Sequence, residues 1–218
     1  MTTWRRLLAL SLFGLTAWPA GSAAAEADRF ELGVRLGAVA ADGEPTNDIM
    51  GGGVYGRYRL SDRWRLGVAV DHSPDFDVER PYEFLGLVGD PAAGEVDAAG
   101  TSTNLLAWIE RAHPRPGGRW EWFWGAGGGV GFVDVEAVSG PLAAGGRYEI
   151  VEEVGTELLL IALAGLRFRL GTAWSLEAAL RAEQHHTDWT VTDRRSGRSV
   201  DLDDYLTTGG HVGIAYRF

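Results

Sequence analysis

The 218-residue chain has no cysteine and no lysine, and after residue 25 it has no long apolar run. Without cysteine there is no disulfide framework, no thiolate-bound zinc or iron–sulfur centre and no thiol nucleophile. Without a run of 18 or more apolar residues, the body of the chain cannot cross a bilayer as a helix. All 20 basic residues are arginine, set against 30 acids, for a formal charge of −10. A mean hydropathy of −0.08 would suit a soluble acidic protein. What is abundant is glycine, 31 residues, about twice its usual share, together with nine tryptophans.

Residues 1–25 read as a secretory leader. Arg5 and Arg6 precede an apolar stretch from Leu7 to Trp18, Pro19 and Gly21 break it, and Ala23-Ala24-Ala25 offers a small-residue cleavage site. The mature part is then expected to be residues 26–218, one barrel domain outside the cytosol.

From Phe30 onward, apolar residues recur every second position, the signature of half-buried strands. Val212, Ile214, Tyr216 and Phe218 share one face against His211, Gly213, Ala215 and Arg217. Trp174, Leu176, Ala178 and Leu180 oppose Ser175, Glu177, Ala179 and Arg181, and Trp120, Trp122 and Trp124 oppose Glu121, Phe123 and Gly125. Similar splits occupy 30–37 and 63–71. Three segments, near 51–60, 103–112 and 156–169, are less clean, and the last is apolar on both faces around Leu158 to Leu163.

A soluble sandwich would alternate too, but the connections separate the two architectures. Long and short links follow one another in strict order, and the short ones, such as Ser61-Asp62 and Leu170 to Thr172, all fall at one end. Such segregation predicts an all-β, eight-stranded antiparallel up-and-down transmembrane β-barrel with short periplasmic turns and long external loops. Aromatic residues near strand ends fit an interfacial girdle.

The closing Gly-His-Val-Gly-Ile-Ala-Tyr-Arg-Phe, with Tyr216 and the terminal Phe218, resembles the assembly signal of Gram-negative outer-membrane proteins. The whole mature chain is similar to small outer-membrane barrels of the OmpA, OmpX and OmpW type. The resemblance implies the outer membrane as location, lipids and lipopolysaccharide as surroundings, and periplasmic chaperones and the barrel-assembly machinery as biogenesis partners. No cofactor and no nucleic-acid partner are expected, and the barrel is expected to be monomeric. Such barrels include adhesins, anchors, receptors and lipid-modifying enzymes, so fold alone does not select the activity.

Eight strands enclose a space just wide enough for side chains to fill, which argues against an open porin. The inward phase supplies Glu31, Arg35, Arg57, Arg65, Glu121, Arg167, Glu177, Arg181, Glu183 and Arg217. Opposite charges in a narrow, partly dry tube should pair, giving an ionic lattice; a proton path or gate is the alternative. Arginines cluster toward the short-turn end, from Arg59, Arg63 and Arg65 to Arg167 and Arg169, where their forks suit lipid phosphates; a compositional bias would place them equally well. From Asp71 to Asp97 eight acids stand against Arg80 alone. Asp75, Asp77 and Glu79 are the weak cation candidates there, short of a full cation-loop pattern, and charge that merely keeps loops solvated is the alternative. The segment from Pro81 to Val88 is expected to extend a strand or pack on the rim. A second acidic group, Asp201, Asp203 and Asp204, lies in the last loop.

The expected role is structural or surface-interactive: envelope integrity, cation or lipopolysaccharide binding, or surface contact. One rival is a lipid-modifying enzyme of lipid A deacylase or acyltransferase type. Its candidates are His72 with Ser73, and His185 and His186 with Asp188, near the external rim, although the adjacent His72 and Ser73 lack the deacylase His-x-Ser spacing. A second rival is a narrow uptake channel for small hydrophobic molecules.

Overall fold

The computed structural model describes residues 29–42, 49–78, 98–135, 138–142, 145–150, 153–187, 190–201 and 204–218. The expected leader, Glu79, the segment 81–88 and Asp188 lie outside them.

Eight long strands build the wall: β1 (Phe30–Asp42), β2 (Ile49–Arg59), β3 (Trp64–Val78), β4 (Ala98–Pro114), β5 (Trp120–Val135), β8 (Glu153–Arg169), β9 (Trp174–Thr187) and β12 (Tyr205–Arg217). They close in the order β1-β12-β9-β8-β5-β4-β3-β2. Every pairing is antiparallel, and closure runs from Glu31 opposite Arg217 to Asp42 opposite Leu206. The wall has no free edge, so its backbone polar groups are satisfied without solvent. Successive side chains then point alternately out and in.

The outward set is apolar and exposed: Leu36 and Leu180 are 69% and 73% accessible, and Val34, Val68, Leu158, Leu160 and Val212 are all exposed. Such a continuous belt is far beyond what a water-soluble surface carries; it is shaped for hydrocarbon. At the short-turn end the belt becomes aromatic. Phe30, Phe218, Tyr216 and Trp174 meet ring to ring across β1, β12 and β9, with centroids 6.0, 5.2 and 5.0 Å apart. Trp120 packs on Phe168 at 4.5 Å, Trp64 meets Trp124 edge-on, and His113 stacks on Trp122 at 3.8 Å. Apolar bodies with polar tips in this position make an interfacial ring.

The short turns are tight. At 60–63 the Ser61 hydroxyl accepts from the Arg63 and Trp64 backbone N–H groups, a local side-chain turn. The long end departs from expectation. The connections after residues 133 and 187, expected as loops, each contain a hairpin: β6 (Val138–Pro141) with β7 (Arg147–Ile150), and β10 (Thr190–Asp193) with β11 (Arg198–Asp201). They join into a second sheet of order β11-β10-β7-β6 through Asp193 opposite Ile150. Four-residue strands carry too little alternation to register as a pattern. Pairing with each other is what satisfies their backbone.

Candidate functional site

The functional side chains lie in the lumen, in two charged clusters separated by a ring layer. The cluster nearer the short turns centres on Arg167, wholly buried. Its Nε and Nη2 donate to Glu177 at 3.1 and 2.8 Å, Nη2 also donates to Glu110 at 3.0 Å, and Nη1 donates to Glu121. Arg65 donates to Glu121 at 2.6 and 3.0 Å and to Glu110 at 3.1 Å. Arg57 clasps Glu177 at 2.5 and 2.6 Å, with its Nε 3.4 Å from Glu110. Glu31 accepts from Arg217 at 2.7 and 3.2 Å, and His211 Nε2 lies 3.2 Å from Glu177. Each of the eight wall strands contributes a member. Lattices of this kind are stable only when nearly every lone pair and proton is matched.

Above it lies the ring layer. Arg57 sits over the Tyr55 ring at 4.4 Å and Arg167 over Phe123 at 4.6 Å, with Trp108 between the two clusters, 5.5 Å below Arg35. Two glycines make room: a Cβ on Gly67 would meet the Trp108 ring at 2.2 Å, and one on Gly33 the Tyr55 ring at 2.4 Å. Leu106, Leu159, Ile161 and Leu163 fill the rest.

The cluster nearer the long loops is built around Asp71 and His185. Asp71 accepts from Arg35 Nε and Nη2 at 2.9 and 2.6 Å and from Arg181 at 2.6 Å; Arg181 also reaches Glu183. His185 Nδ1 is 2.7 Å from Glu157, its Nε2 is 3.2 Å from the Thr207 hydroxyl, and its ring stacks on Tyr205 at 4.2 Å. The Tyr205 hydroxyl donates to both Glu157 oxygens at 3.0 and 3.1 Å.

All ten inward charges expected from the sequence face the lumen, and each makes at least one of these contacts. Glu110, Glu157 and His211 join them without having been singled out. Three placements correct the sequence reading. Asp71, which falls both on the inward phase of 63–71 and at the head of the loop acids, is a lumen residue and not a loop acid, because β3 runs past it to Val78. His72 and Ser73 cannot act together: as neighbours on a strand they face opposite sides, His72 outward with Nδ1 3.0 Å from Thr103 Oγ1 and Ser73 inward against Gly51. His185 and His186 divide in the same way. His186 points outward to Asp204 at 2.7 Å, while His185 is buried inside.

Asp75 and Asp77 lie in β3, and no group of three potential metal ligands occurs among the described residues. Outside the wall, Asp204 is held below the usual aspartate range by hydrogen bonds from His186 and the Thr187 backbone N–H. Burial raises the Asp193 carboxyl, but hydrogen bonds from Ser196 and from the Glu149, Ser196 and Arg195 backbone outweigh it and hold the group low.

Solved structures with the same closed barrel architecture decide the fold. This is the fold of the small outer-membrane barrels. Neisserial surface protein A matches with a TM-score of 0.55 at 13% identity, over 87% of this chain and 97% of that one. Outer membrane protein OprG from Pseudomonas aeruginosa matches at 0.55 and 12%, over 88% and 97%. AlkL, solved in DMPC bilayers, matches at 0.51 and 16%, over 93% and 95%. No protein-family model matches the chain, and no curated protein does in sequence.

Proposed function

We propose that this chain is an outer-membrane protein of a Gram-negative bacterium, with its short turns in the periplasm, that works as a closed scaffold presenting an external surface rather than as a pore. The observation that carries this is Arg167, fully buried and tied to Glu110, Glu121 and Glu177 on three other strands. A guanidinium so placed occupies the path an ion would need, and moving it would strand three buried carboxylates. The scaffold leaves the β6-β7 and β10-β11 sheet, at the long-loop end, as the presented element within reach of lipopolysaccharide.

Planar-bilayer recording of the refolded barrel tests this. No stable conductance is expected from the wild type, and a reproducible single-channel current would overturn the closed scaffold.

One observation favours the lipid-modifying rival: Thr207, His185 and Glu157 form a hydroxyl–imidazole–carboxylate chain, the order used to activate a nucleophile. Thr207 is 1% exposed and faces the lumen, shut away from an acyl chain in the bilayer, so the chain of hydrogen bonds is better suited to holding the upper cluster together. Mass spectrometry of lipid A from cells with and without the protein separates the two: unchanged acylation supports the scaffold, and a lost or added acyl group supports the enzyme.

A further inference from the structure

The lipid-facing phase of the wall strands carries a single arginine among the described residues, Arg111 on β4. The register seats it between Trp64 on β3 and Trp124 on β5, with its guanidinium 5.7 Å from the Trp64 ring. Its Nε is covered and lacks an acceptor, so the forked end of this half-buried side chain is what meets the surroundings. No carboxylate pairs with it among the described residues. A guanidinium that faces a bilayer without a counter-ion is costly.

The rim beside it repeats the charge. The turn at 60–63 and the link at 115–119 add Arg63, Arg115 and Arg119, all exposed. Backbone pairing fixes them next to this face: the Ala112 N–H donates to the Arg63 carbonyl at 2.7 Å, and the Arg115 N–H to the Trp120 carbonyl at 3.3 Å. Four guanidiniums thus stand against Asp62 alone in this sector. The turn at 170–173, between β8 and β9, holds no charge at all. Trp64, Trp122 and Trp124 are exposed, and their indole N–H groups meet no acceptor among the described residues. The sector therefore offers hydrogen-bond donors and positive charge at the edge of the apolar belt.

We propose that the outward β3-β4-β5 face at the short-turn end binds an anionic phospholipid of the surrounding leaflet. Its phosphodiester would sit between Arg111 and the rim arginines, with its acyl chains along Leu66, Ile109 and Ala126, which share one row of the wall. The Arg111 fork suits two oxygens of one phosphate, and the indole N–H groups suit the neighbouring ester oxygens. Charge selects the headgroup. Choline or ethanolamine would bring a cation into a sector whose one acid is Asp62, whereas glycerol leaves the phosphate charge uncancelled. Because the chain as a whole is acidic, at −10, a preference for anionic lipid must come from a local patch. That the leaflet is the periplasmic one rests on the orientation proposed above; the binding does not.

The test uses the refolded full barrel in phosphatidylcholine nanodiscs containing a minor share of phosphatidylglycerol. One of the two lipids at a time carries brominated acyl chains, which quench tryptophan fluorescence on contact. Brominated phosphatidylglycerol is expected to quench well beyond its mole fraction, and brominated phosphatidylcholine at the same share is not. Arg111→Gln should weaken the preference about tenfold, and Arg63→Gln and Arg115→Gln about fivefold each. Arg194→Gln and Arg195→Gln, which change the net charge equally at the β10-β11 hairpin, should leave it intact. Heat-modifiable gel mobility confirms that each variant is folded. Equal quenching by the two lipids would mean that Arg111 merely reaches for the interface, and overturns the proposal. So does a preference that Arg111→Gln leaves unchanged, or one that the hairpin variants reduce as much. Unlabelled lipid A that displaces the brominated lipid at a lower mole fraction than unlabelled phosphatidylglycerol would assign the face to lipopolysaccharide phosphates and overturn it too. A conducting barrel that keeps the preference would refute the scaffold reading alone.

Discussion

The two halves of the lumen use the same few residue types in opposite balance. The half near the short turns has guanidiniums in excess. The half near the long loops sets Arg35 and Arg181 against Asp71, Glu157 and Glu183, with His185 inserted between two of those acids. The first is a lattice reaching all eight strands. The second draws on β1, β3, β8, β9 and β12, and it includes hydroxyls and a stacked imidazole. Rigidity and excess cation thus collect at one end and neutral hydrogen-bonding groups at the other, with the Tyr55, Trp108 and Phe123 rings between them. A buried charge cluster can be either a cross-brace or an adaptable network, depending on how many walls it spans.

Removing the centre of the cross-brace should have the largest effect. Arg167→Met strands three carboxylates and is expected to cost about 3–5 kcal/mol of stability, seen as a lower temperature for loss of the compact gel species. In the other half, Asp71→Asn leaves Arg35 and Arg181 sharing a neutral amide and should cost about 1.5–3 kcal/mol. If the halves are separate, the double variant is additive to within about 0.5 kcal/mol; a larger coupling, read by urea unfolding in detergent, would show that the ring layer transmits between them. Gly67→Ala probes that layer directly. The new methyl must push the Trp108 ring aside, at about 1–3 kcal/mol, with a change in near-ultraviolet circular dichroism that Asp71→Asn does not produce.

The smallest effect lies outside the wall. Because the Asp193 carboxyl is held below its ordinary range, its contribution to the β10-β11 hairpin is complete at neutral pH. It fades only as pH falls below about 4. Amide exchange at Arg195 and Ser196 should therefore be constant from about pH 5 to 7, after correction for intrinsic rates, and should lose protection only in acid.

Much of this was legible in the residues, and the gaps have physical causes. Alternation, segregated short links and the terminal aromatic pattern were enough for the barrel, because lipid on one side and a filled lumen on the other force a strict two-residue period. Ten lumen charges followed from that period alone. Glu110 escaped because β4 also turns Leu106 and Trp108 inward, so its inner face does not look polar. Asp71 carried two readings, inward on 63–71 and first of the acidic run, because it sits where a strand merges into an acidic segment, and only the pairing register decides between them. The division of His185 from His186 is one residue of strand phase; the residue types suggested chemistry, and the backbone split them.

The hydrogen bonds between Glu31 and Arg217 join positions 186 residues apart, across the seam where β1 meets β12. Because the short-turn lattice draws a member from every wall strand, it is incomplete until the last strand arrives. A partly assembled sheet would hold Glu110, Glu121 and Glu177 in a half-dry groove without all their partners. Final closure is thus the step at which the interior becomes electrically satisfied, so folding should be all-or-none and set by the most non-local contact in the chain.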